Sequence, residues 1–418
     1  MTEALVVVGA SYAGLQTALS ARESGFEHPI LLIGDESELP YQRPPLSKGF
    51  LLGKVSDTSL PIRPRQVLDQ QRIEFLPGTR VTSIDRSART VETADGQRIA
   101  YGRLALTTGC GPRRLPVGGV DLDGVQYLRT LDDARALRAR LDGIGSAVIV
   151  GGGFIGLEVA ASLAMLGKQV TVIEMQDRLL ARALPPVMSE FLAERHRQAG
   201  VHIFLRAGVR RLVGEQGRVI AVELTDGRIL DSDLVVVGIG ASVNADLAAA
   251  AGLACDDGIV VDEFARTGDP RIVAAGDCTR HPNRSAGRLA RLESVQNALD
   301  QAKTAGATVA GRHKAYDAVP WFWSDQYDLK LQMVGFSEGH DRAVMRGSRD
   351  DGHFSLFYFR SGRLIGIESV NSAGDHMAGR QIIPANIPIT PEQAGDPGFN
   401  LAALVKAARA RESALEVR

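Results

Sequence analysis

Residues Ala147–Glu174 read AVIVGGGFIGLEVAASLAMLGKQVTVIE, and this stretch decides the fold. An apolar run leads into three glycines in the spacing G-x-G-x-x-G, followed by an alanine-rich segment and a second, β-branched run. That order is typical of a strand, a glycine turn, a helix and a strand in one βαβ unit, which binds a dinucleotide. A glycine-rich turn without a ligand is the alternative. The predicted elements are the strand Ala147–Val150, the helix Leu157–Leu166 and the strand Val170–Ile173.

The three glycines and the acid that closes the stretch have separate tasks. Gly151 can make the tight turn, Gly153 lets the backbone approach a pyrophosphate, and Gly156 lets the helix pack on its strand. The helix N-terminus adds free N–H groups and a partial positive charge for the phosphates. Glu174 ends the second strand, where a carboxylate accepts hydrogen bonds from ribose hydroxyls. Because that carboxylate would repel a 2′-phosphate, the sequence favours NADH over NADPH.

Length and composition indicate a soluble protein of two or three domains. The 418 residues exceed what one hydrophobic core usually fills, and 44% of them are hydrophobic and 23% charged. The formal net charge of −1 gives no reason to expect nucleic acid or an anionic membrane as the main partner. No apolar run is long enough to span a membrane and no signal peptide is recognised, so a cytoplasmic location is expected.

The cysteines and histidines predict no metal site. The three cysteines are Cys110, Cys255 and Cys278. They lie far apart in the chain and form no C-x-x-C pair, which suits a reducing cytoplasm and inert side chains. The histidines His281, His313 and His376 show no metal-ligand spacing either.

The N-terminus repeats the anchor pattern. The strand Ala4–Val8 leads into GASYAG at Gly9–Gly14, and the helix Leu15–Ser24 and the strand Ile30–Ile33 follow. Ser11 replaces the second glycine of the fingerprint. Its Cβ must therefore be tolerated near the phosphates, while its hydroxyl could donate to one of them.

Each βαβ unit is followed by alternating strands joined by an Asp-Gly turn. The turn is Asp95-Gly96 in the first half and Asp226-Gly227 in the second. Both segments predict a small antiparallel meander before a last core strand. The chain therefore contains a duplication at the scale of domains. Two fingerprints imply two nucleotide sites, whereas a single-site dehydrogenase would need only one.

A third region begins at Pro320, where the two tryptophans of the chain cluster. The alternating runs His353–Phe359 and Arg363–Val370 predict a hairpin, and Leu401–Arg411 predicts a closing helix. The expected fold class is α/β, with two Rossmann-like three-layer nucleotide-binding domains and a C-terminal α+β domain. The predicted domain bounds are residues 1–110 with 240–319 for the first domain, 111–239 for the second and 320–418 for the third.

With these motifs in place, the chain is similar to the FAD-dependent pyridine-nucleotide oxidoreductases over nearly its whole length. It most resembles the putidaredoxin reductase-like branch of oxygenase-coupled ferredoxin reductases. The departure at Ser11 does not change this, since that turn varies among such proteins. The segments that carry the resemblance are GASYAG at Gly9–Gly14, YQRPPLSK at Tyr41–Lys48, YLRTLDDA at Tyr127–Ala134, VIVGGGFIGLE at Val148–Glu158, VAAGDC at Val273–Cys278, ESVQNAL at Glu293–Leu299 and PWFWSDQY at Pro320–Tyr327.

The resemblance implies FAD at the first site and NADH at the second. Asp35 would meet the adenosine ribose of FAD, although strand register puts Gly34 at the position that matches Glu174. Asp277 would accept a hydrogen bond from the flavin ribitol, a role compatible with capping a helix. The implied FAD residues are Gly9, Ser11, Ala13, Gly14, Asp35, Arg43, Lys48, Val81, Arg129, Asp277, Val295 and Trp323. The implied NAD residues are Gly151, Gly153, Ile155, Gly156, Glu158 and Glu174.

Lys48 and Glu158 are the predicted catalytic pair. In the family's pattern the lysine approaches flavin N5 and the glutamate faces the nicotinamide, whose C4 gives a hydride to N5. The cofactors carry this chemistry, and the protein positions the rings and tunes their electrostatics. A buried lysine is costly unless it is paired, and Glu158 is the natural partner. Without the resemblance, each residue would read as a surface charge.

The sequence offers no cysteine pair to take the electrons onward. The first helix and the segment Arg43–Lys48 lack the thiols that disulfide reductases and NADH oxidases of this fold use. We therefore expect one-electron steps to a [2Fe–2S] ferredoxin that serves a cytochrome P450 or another oxygenase. Trp323 resembles the family's aromatic at the flavin-facing surface, with a core tryptophan as the alternative. Small ferredoxins are usually acidic, so a patch of basic side chains on the reductase would dock them. The candidates are Lys303, Arg312, Lys314, Lys406 and Arg409.

Two other functions remain open at this level. Rubredoxin reductases share the motifs and differ in the electron acceptor. A flavoprotein that signals through its NADH-bound form, as apoptosis-inducing-factor-like proteins do, would be expected to carry extra interaction segments. A monomer and a weak dimer are both left open, because no extended coiled coil or exposed apolar helix indicates an interface.

Overall fold

The first nucleotide-binding unit is built on a sheet of five parallel strands. The computed structural model describes residues 3–416 and, within the last helix, side chains up to residue 411. The strands are short and mostly apolar, and the central ones are almost wholly buried, as expected for a parallel sheet covered on both faces. Their order across the sheet is Ile272–Ala274, Arg103–Leu106, Leu5–Val8, Ile30–Ile33 and Ile73–Leu76.

The second unit repeats this architecture. Its five strands are also parallel, and the predicted strand that precedes the glycines lies in the middle of the sheet. The order is His202–Phe204, Gln169–Ile173, Ser146–Val150, Leu234–Val237 and Val125–Tyr127. The predicted fold class of paired Rossmann-like units is therefore confirmed.

Both fingerprint helices begin earlier than predicted. They span Tyr12–Glu23 and Phe154–Met165, so Gly14 and Gly156 lie in the first helical turn. Glycine is a poor helix former, and the sequence pattern therefore placed each helix start after it. A Cβ at Gly14 would lie 1.8 Å from the carbonyl oxygen of Gly9, so this tight entry into the helix requires glycine.

The predicted meanders and a crossing ribbon accompany the two large sheets. Each meander has three antiparallel strands and is followed by a core strand, Arg103–Leu106 in the first unit and Leu234–Val237 in the second. The first meander comprises Val81–Asp85, Thr90–Thr93 and Arg98–Ala100, and the second comprises Val209–Glu215, Arg218–Leu224 and Ile229–Asp231. A ribbon of Cys110–Pro112 and Ala241–Val243 forms where the chain leaves the first unit and returns to it. The predicted domain bounds near residues 110 and 240 fall at this ribbon, and the division into domains stays a prediction.

The C-terminal region adds a five-stranded antiparallel sheet with three helices on it. The predicted hairpin lies in this sheet, as His353–Arg360 and Arg363–Val370. The strand order is Trp321–Gln326, Leu329–Gly335, Arg363–Val370, His353–Arg360 and Arg342–Ser348. The helices are Ala373–Ile382, Pro391–Gly395 and Leu401–Glu416. Residues 417 and 418 of the predicted third domain, like residues 1 and 2 of the first, lie outside the described residues.

The remaining elements connect these sheets. The other α-helices are Arg65–Gln70, Leu131–Arg140, Pro186–Gln198, Asp246–Ala250 and Val295–Val309. The 3-10 turns are Pro44–Ser47, Asp57–Ser59 and Leu141–Gly143, and the last small sheet contains Ile259–Val260, Thr279–Asn283 and Arg288–Ala290. Among the described residues, no helix has the length and apolar character needed to cross a membrane.

The C-terminal sheet and the second unit share one hydrophobic core. Leu192 and Met188 of the helix Pro186–Gln198 are buried in the same cluster as Phe354 and Leu356 of the sheet. This shared core fixes the sheet against the second unit. As a result, its first strand lies beside the second fingerprint helix, where Phe154 and Phe322 place their ring centroids 4.7 Å apart.

Candidate functional site

One cleft lies where the two nucleotide-binding units and the C-terminal sheet meet. It encloses about 1070 Å³ of space between atoms, including the solvent at its mouth. Predicted site residues from all three regions line it. They are Ser11, Ala13, Arg43, Lys48, Arg129, Ile155, Glu158, Asp277, Val295 and Trp323.

The first fingerprint helix opens onto this cleft. Ser11 is the N-cap of the helix, but its hydroxyl makes no capping hydrogen bond. The hydroxyl is thus available to a ligand, together with the free N–H groups of the first turn. Gly9 has a φ of +108°, and a Cβ there would lie 2.3 Å from the Thr107 carbonyl oxygen. The turn therefore needs glycine at this position.

Arg43 reaches into the cleft from the segment that follows the second strand. Its guanidinium donates to Glu36 at 2.5 Å, to the Tyr41 hydroxyl at 2.9 Å and to the Arg129 carbonyl oxygen at 2.8 Å. The Nε atom is buried and has no hydrogen-bond partner in the described residues. This donor is left for a ligand in the cleft. Sequence reasoning missed Glu36, although its carboxylate holds Arg43 in place.

Asp277 also lines the cleft. Burial raises the pKa of its carboxyl above the usual range, against the positive charge of Arg129, whose guanidinium is 3.9 Å away. The Cys110 thiol donates to the same carboxylate at 3.5 Å. Burial also raises the pKa of Cys110 to about 12, so the thiol stays protonated at neutral pH. Cys110 is therefore no ready nucleophile, in line with the inert role expected of it.

Lys48 and Glu158 form the predicted ion pair at the centre of the cleft. The Lys48 Nζ lies 2.6 Å from Oε2 of Glu158, which is 2% exposed against 17% for the lysine. Two serines that the sequence analysis did not single out complete the arrangement. Ser47 donates to Oε2 at 2.5 Å, and Ser324 donates to Oε1 at 2.7 Å. Each carboxylate oxygen thus has a donor, which is what a buried charge requires.

The second fingerprint lies beside the cleft. Gly151 has a φ of +109°, and a Cβ on Gly156 would meet the Gly151 carbonyl oxygen at 2.3 Å. The Glu174 carboxylate accepts from the backbone N–H of Gly152 at 2.7 Å and of Gln176 at 2.8 Å. These bonds hold the acid at the strand end, facing the glycine turn. Ile155 and Glu158, on the helix, are the predicted NAD residues that line the cleft.

The other predicted site residues lie outside the cleft lining. The backbone N–H groups of Gly34 and Glu174 each donate to the next strand of their own sheet. The two residues therefore occupy equivalent positions in the strand register, as the sequence indicated. Asp35 is more than half exposed and pairs with Arg80 at 3.2 Å. The other predicted residues outside the lining are Gly9, Gly14, Val81, Gly151, Gly153, Gly156 and Glu174. Their roles stay predictions.

Gly153 offers a test that separates folding from binding. The nearest atom to a Cβ at Gly153 is the Gly238 carbonyl oxygen at 3.8 Å, an ordinary contact. We expect Gly153→Ala to change the free energy of unfolding by less than about 0.5 kcal/mol and to weaken NADH binding about tenfold or more, because the fingerprint predicts that a pyrophosphate approaches the backbone at this position. Urea unfolding and NADH titration measure the two effects.

Gly156→Ala is the matched steric variant for this test. Its Cβ meets backbone atoms of the turn, so it should lower stability as well as binding. If Gly153→Ala binds NADH as the parent chain does, the backbone at Gly153 is not where the pyrophosphate lies.

Aromatic side chains of the C-terminal sheet also line the cleft. Trp323 and Phe322 line the cleft, and Trp321 lies behind them with its ring centroid 5.6 Å from that of Trp323. Trp323 is half-buried rather than sealed in the core. Its predicted role toward a ligand stays a prediction.

The basic side chains that could dock a partner lie at the surface. Lys303, Arg312, Lys314, Lys406 and Arg409 are all exposed. Lys303 pairs with Asp300 at 2.8 Å. In residues 3–416, no group of three or more His, Cys, Asp or Glu side chains is arranged to hold a metal ion.

Comparisons with known proteins match the chain over nearly its whole length. Residues 3–302 match the family described as pyridine nucleotide-disulphide oxidoreductase, and residues 321–405 match the family described as reductase C-terminal. The chain is 48% identical over 397 residues to rhodocoxin reductase of Rhodococcus erythropolis, covering 95% of this chain and 93% of that protein. It is 42% identical over 416 residues to putidaredoxin reductase of Pseudomonas putida, covering 98% of both.

A solved structure shows the same likeness in three dimensions. The reductase in the crystal structure of the covalent putidaredoxin reductase–putidaredoxin complex superposes with a TM-score of 0.93 at 41% identity, covering 98% of this chain and 99% of that chain.

Proposed function

The chain belongs to the pyridine nucleotide-disulphide oxidoreductase family, and from that premise we propose that it is an NADH-dependent ferredoxin reductase. Its cofactors are FAD and NADH. The observation that carries the proposal is the buried Lys48–Glu158 pair, because it joins the first unit to the second at the cleft that both fingerprints border. The acceptor we propose is a [2Fe–2S] ferredoxin that serves a cytochrome P450 or another oxygenase.

The residues of the cleft fit FAD. The unpartnered Arg43 Nε, the free Ser11 hydroxyl and the first helical turn offer donors to an anionic pyrophosphate. Asp277 offers an acceptor to hydroxyl groups. Bound there, FAD would accept a hydride from NADH and release two electrons one at a time. We propose that the first unit binds FAD and the second binds NAD, within the predicted domain bounds.

The protein's own part in this reaction is to hold charge and exclude water. Lys48 keeps its ammonium in the cleft because Glu158 neutralises it. The glutamate is in turn held in place by Lys48, Ser47 and Ser324, which all donate to its carboxylate. Phe322 and Trp323 line the cleft from the C-terminal sheet and give it apolar surface, which favours the exclusion of water.

The side chains at the cleft favour a protein as the acceptor of the electrons. No cysteine lines the cleft within the described residues, and the thiol of Cys110 behind it stays protonated. A disulfide relay is therefore disfavoured. The complex of the related putidaredoxin reductase with putidaredoxin supports a small redox protein as the acceptor. We propose that this partner is acidic and meets exposed basic side chains such as Arg312 and Lys406, and that the reductase itself is a monomer or a weak dimer.

Flavin reduction followed by acceptor reduction tests the proposal. We expect yellow protein whose flavin is bleached faster by NADH than by NADPH, because the Glu174 carboxylate disfavours a 2′-phosphate. Reduction of a [2Fe–2S] ferredoxin should then outpace reduction of rubredoxin in a coupled cytochrome c assay. Faster reduction of rubredoxin would make the protein a rubredoxin reductase. A long-lived reduced complex with slow turnover would favour a signalling flavoprotein, and protein that stays colourless with added FAD would overturn the proposal.

A further inference from the structure

A chain of buried hydrogen bonds runs from Glu158 to the surface. Beyond Ser324, the Gln326 amide nitrogen is 3.1 Å from the Ser324 hydroxyl. The Gln326 amide oxygen is 2.8 Å from Nε2 of His196, and Nδ1 of His196 is 2.9 Å from the Tyr327 hydroxyl. Glu158, Ser324, Gln326 and His196 are each at most 3% exposed.

The direction of every bond in this chain is fixed. The Glu158 carboxylate can only accept, so Ser324 donates to it and must accept from the Gln326 amide nitrogen. The Gln326 oxygen then faces His196, whose Nε2 must carry the proton. Burial lowers the pKa of His196 to about 4, so the ring is neutral and Nδ1 accepts from Tyr327. All donors point the same way, toward the carboxylate.

The chain joins two of the three parts of the fold. Glu158 and His196 belong to helices of the second unit, while Ser324 and Gln326 lie on the first strand of the C-terminal sheet. Tyr327 closes the outer end, where the Arg195 guanidinium lies over its ring at 4.7 Å. Aligned hydrogen bonds in a low-dielectric interior polarise one another, so each added donor strengthens the bond to the carboxylate.

We propose that His196, Gln326 and Ser324 are positioning residues for Glu158. They hold its carboxylate in one orientation, turned toward Lys48, so that docking of the C-terminal sheet completes the arrangement of charges in the cleft. An amide in the middle makes the chain unsuited to carry a proton, since amides do not relay protons as hydroxyls or imidazoles do. Its role is therefore orientation. Only the expected effect on flavin reduction rests on the proposed function; the orientation of Glu158 does not.

The first test determines the direction of the hydrogen bonds and does not depend on enzyme activity. In holoprotein labelled with ¹⁵N-histidine, NMR should show His196 as the neutral Nε2–H tautomer from about pH 8 down to about pH 6, because its pKa lies near 4. A protonated ring or the Nδ1–H tautomer in this range would overturn the assigned direction.

The second test is the pH dependence of flavin reduction by NADH. The parent rate should change less than about twofold between about pH 8 and about pH 6, whereas Ser324→Ala should lose about tenfold over that range, because the variant lacks a hydrogen bond that favours the charged form of a carboxylate. Ser324→Thr, which keeps the hydroxyl, should restore the parent profile.

The matched control is Ser355→Ala. Ser355 is another buried serine of the same sheet, and its hydroxyl donates to Asp375 and accepts from Ser369 instead of contacting Glu158. It should lower stability without changing the pH profile. A parent-like profile for Ser324→Ala, or an acid loss equally large in Ser355→Ala, would sink the inference. A parent protein that NADH does not reduce at all would instead contradict the proposed function.

Discussion

Replacing Lys48 with methionine is expected to slow flavin reduction by NADH about 100-fold, because it removes a preorganised positive charge from the cleft and leaves a buried carboxylate there. Methionine keeps the length of the apolar stem and loses only the ammonium. The serine donors to Glu158 remain, so the free energy of unfolding should fall by about 3 kcal/mol, the lower end for breaking a buried pair. Stopped-flow bleaching of the flavin and urea unfolding measure the two losses.

FAD retention separates a kinetic role of Lys48 from a binding role. The lysine is one of many contacts in the cleft, so flavin content should fall much less than the reduction rate. Lys54→Met is the matched control, because Lys54 is an exposed lysine of the same segment and forms none of these contacts. If Lys48→Met loses its flavin while the holoprotein that remains is reduced at the parent rate, Lys48 is a binding residue only.

The parts of the fold that local sequence determines were predictable. The two glycine fingerprints, the β-branched runs around them and the Asp-Gly turns each span a few consecutive residues, and the structure has a βαβ unit or a meander at each of them. The Lys48–Glu158 pair was also predictable, because a buried lysine needs an anion and the resemblance placed both residues near the cofactors. The start of each fingerprint helix was not, because packing on the turn overrides the low helix propensity of glycine.

The support of Glu158 could not be read from local pattern. Ser47 lies 111 positions from Glu158 in the chain, Ser324 lies 166 away, and His196 is 130 from Gln326. Only the packing of the C-terminal sheet on the second unit brings them together. One signal was present in PWFWSDQY, where Ser324 and Gln326 alternate on one face of a strand rich in aromatics. Polar side chains on the buried face of such a strand need partners, and that need pointed to a site.

The second large effect is expected at Gly14, where a single methyl group should prevent the first unit from folding around FAD. A Cβ there would lie 1.8 Å from the Gly9 carbonyl oxygen and 2.9 Å from Oγ1 of Thr107. Both groups are fixed, since the Thr107 hydroxyl donates to the carbonyl oxygens of Val8 and Gly9. Relief requires the fingerprint helix to move away from the sheet. We expect Gly14→Ala to lower the free energy of unfolding by about 3 kcal/mol or more, measured by urea unfolding.

Flavin content should show the same loss, because the helix that moves is the one whose N-terminus faces the cleft. The control is Gly143→Ala, where a Cβ meets no atom within 4 Å and φ is not in the left-handed region. That variant should keep its flavin and gain about 0.5 kcal/mol, since alanine restricts the unfolded chain. A Gly14→Ala protein that is as stable and as yellow as the parent would mean that the turn can widen. The close approach of helix and strand would then not be what shapes the first nucleotide site.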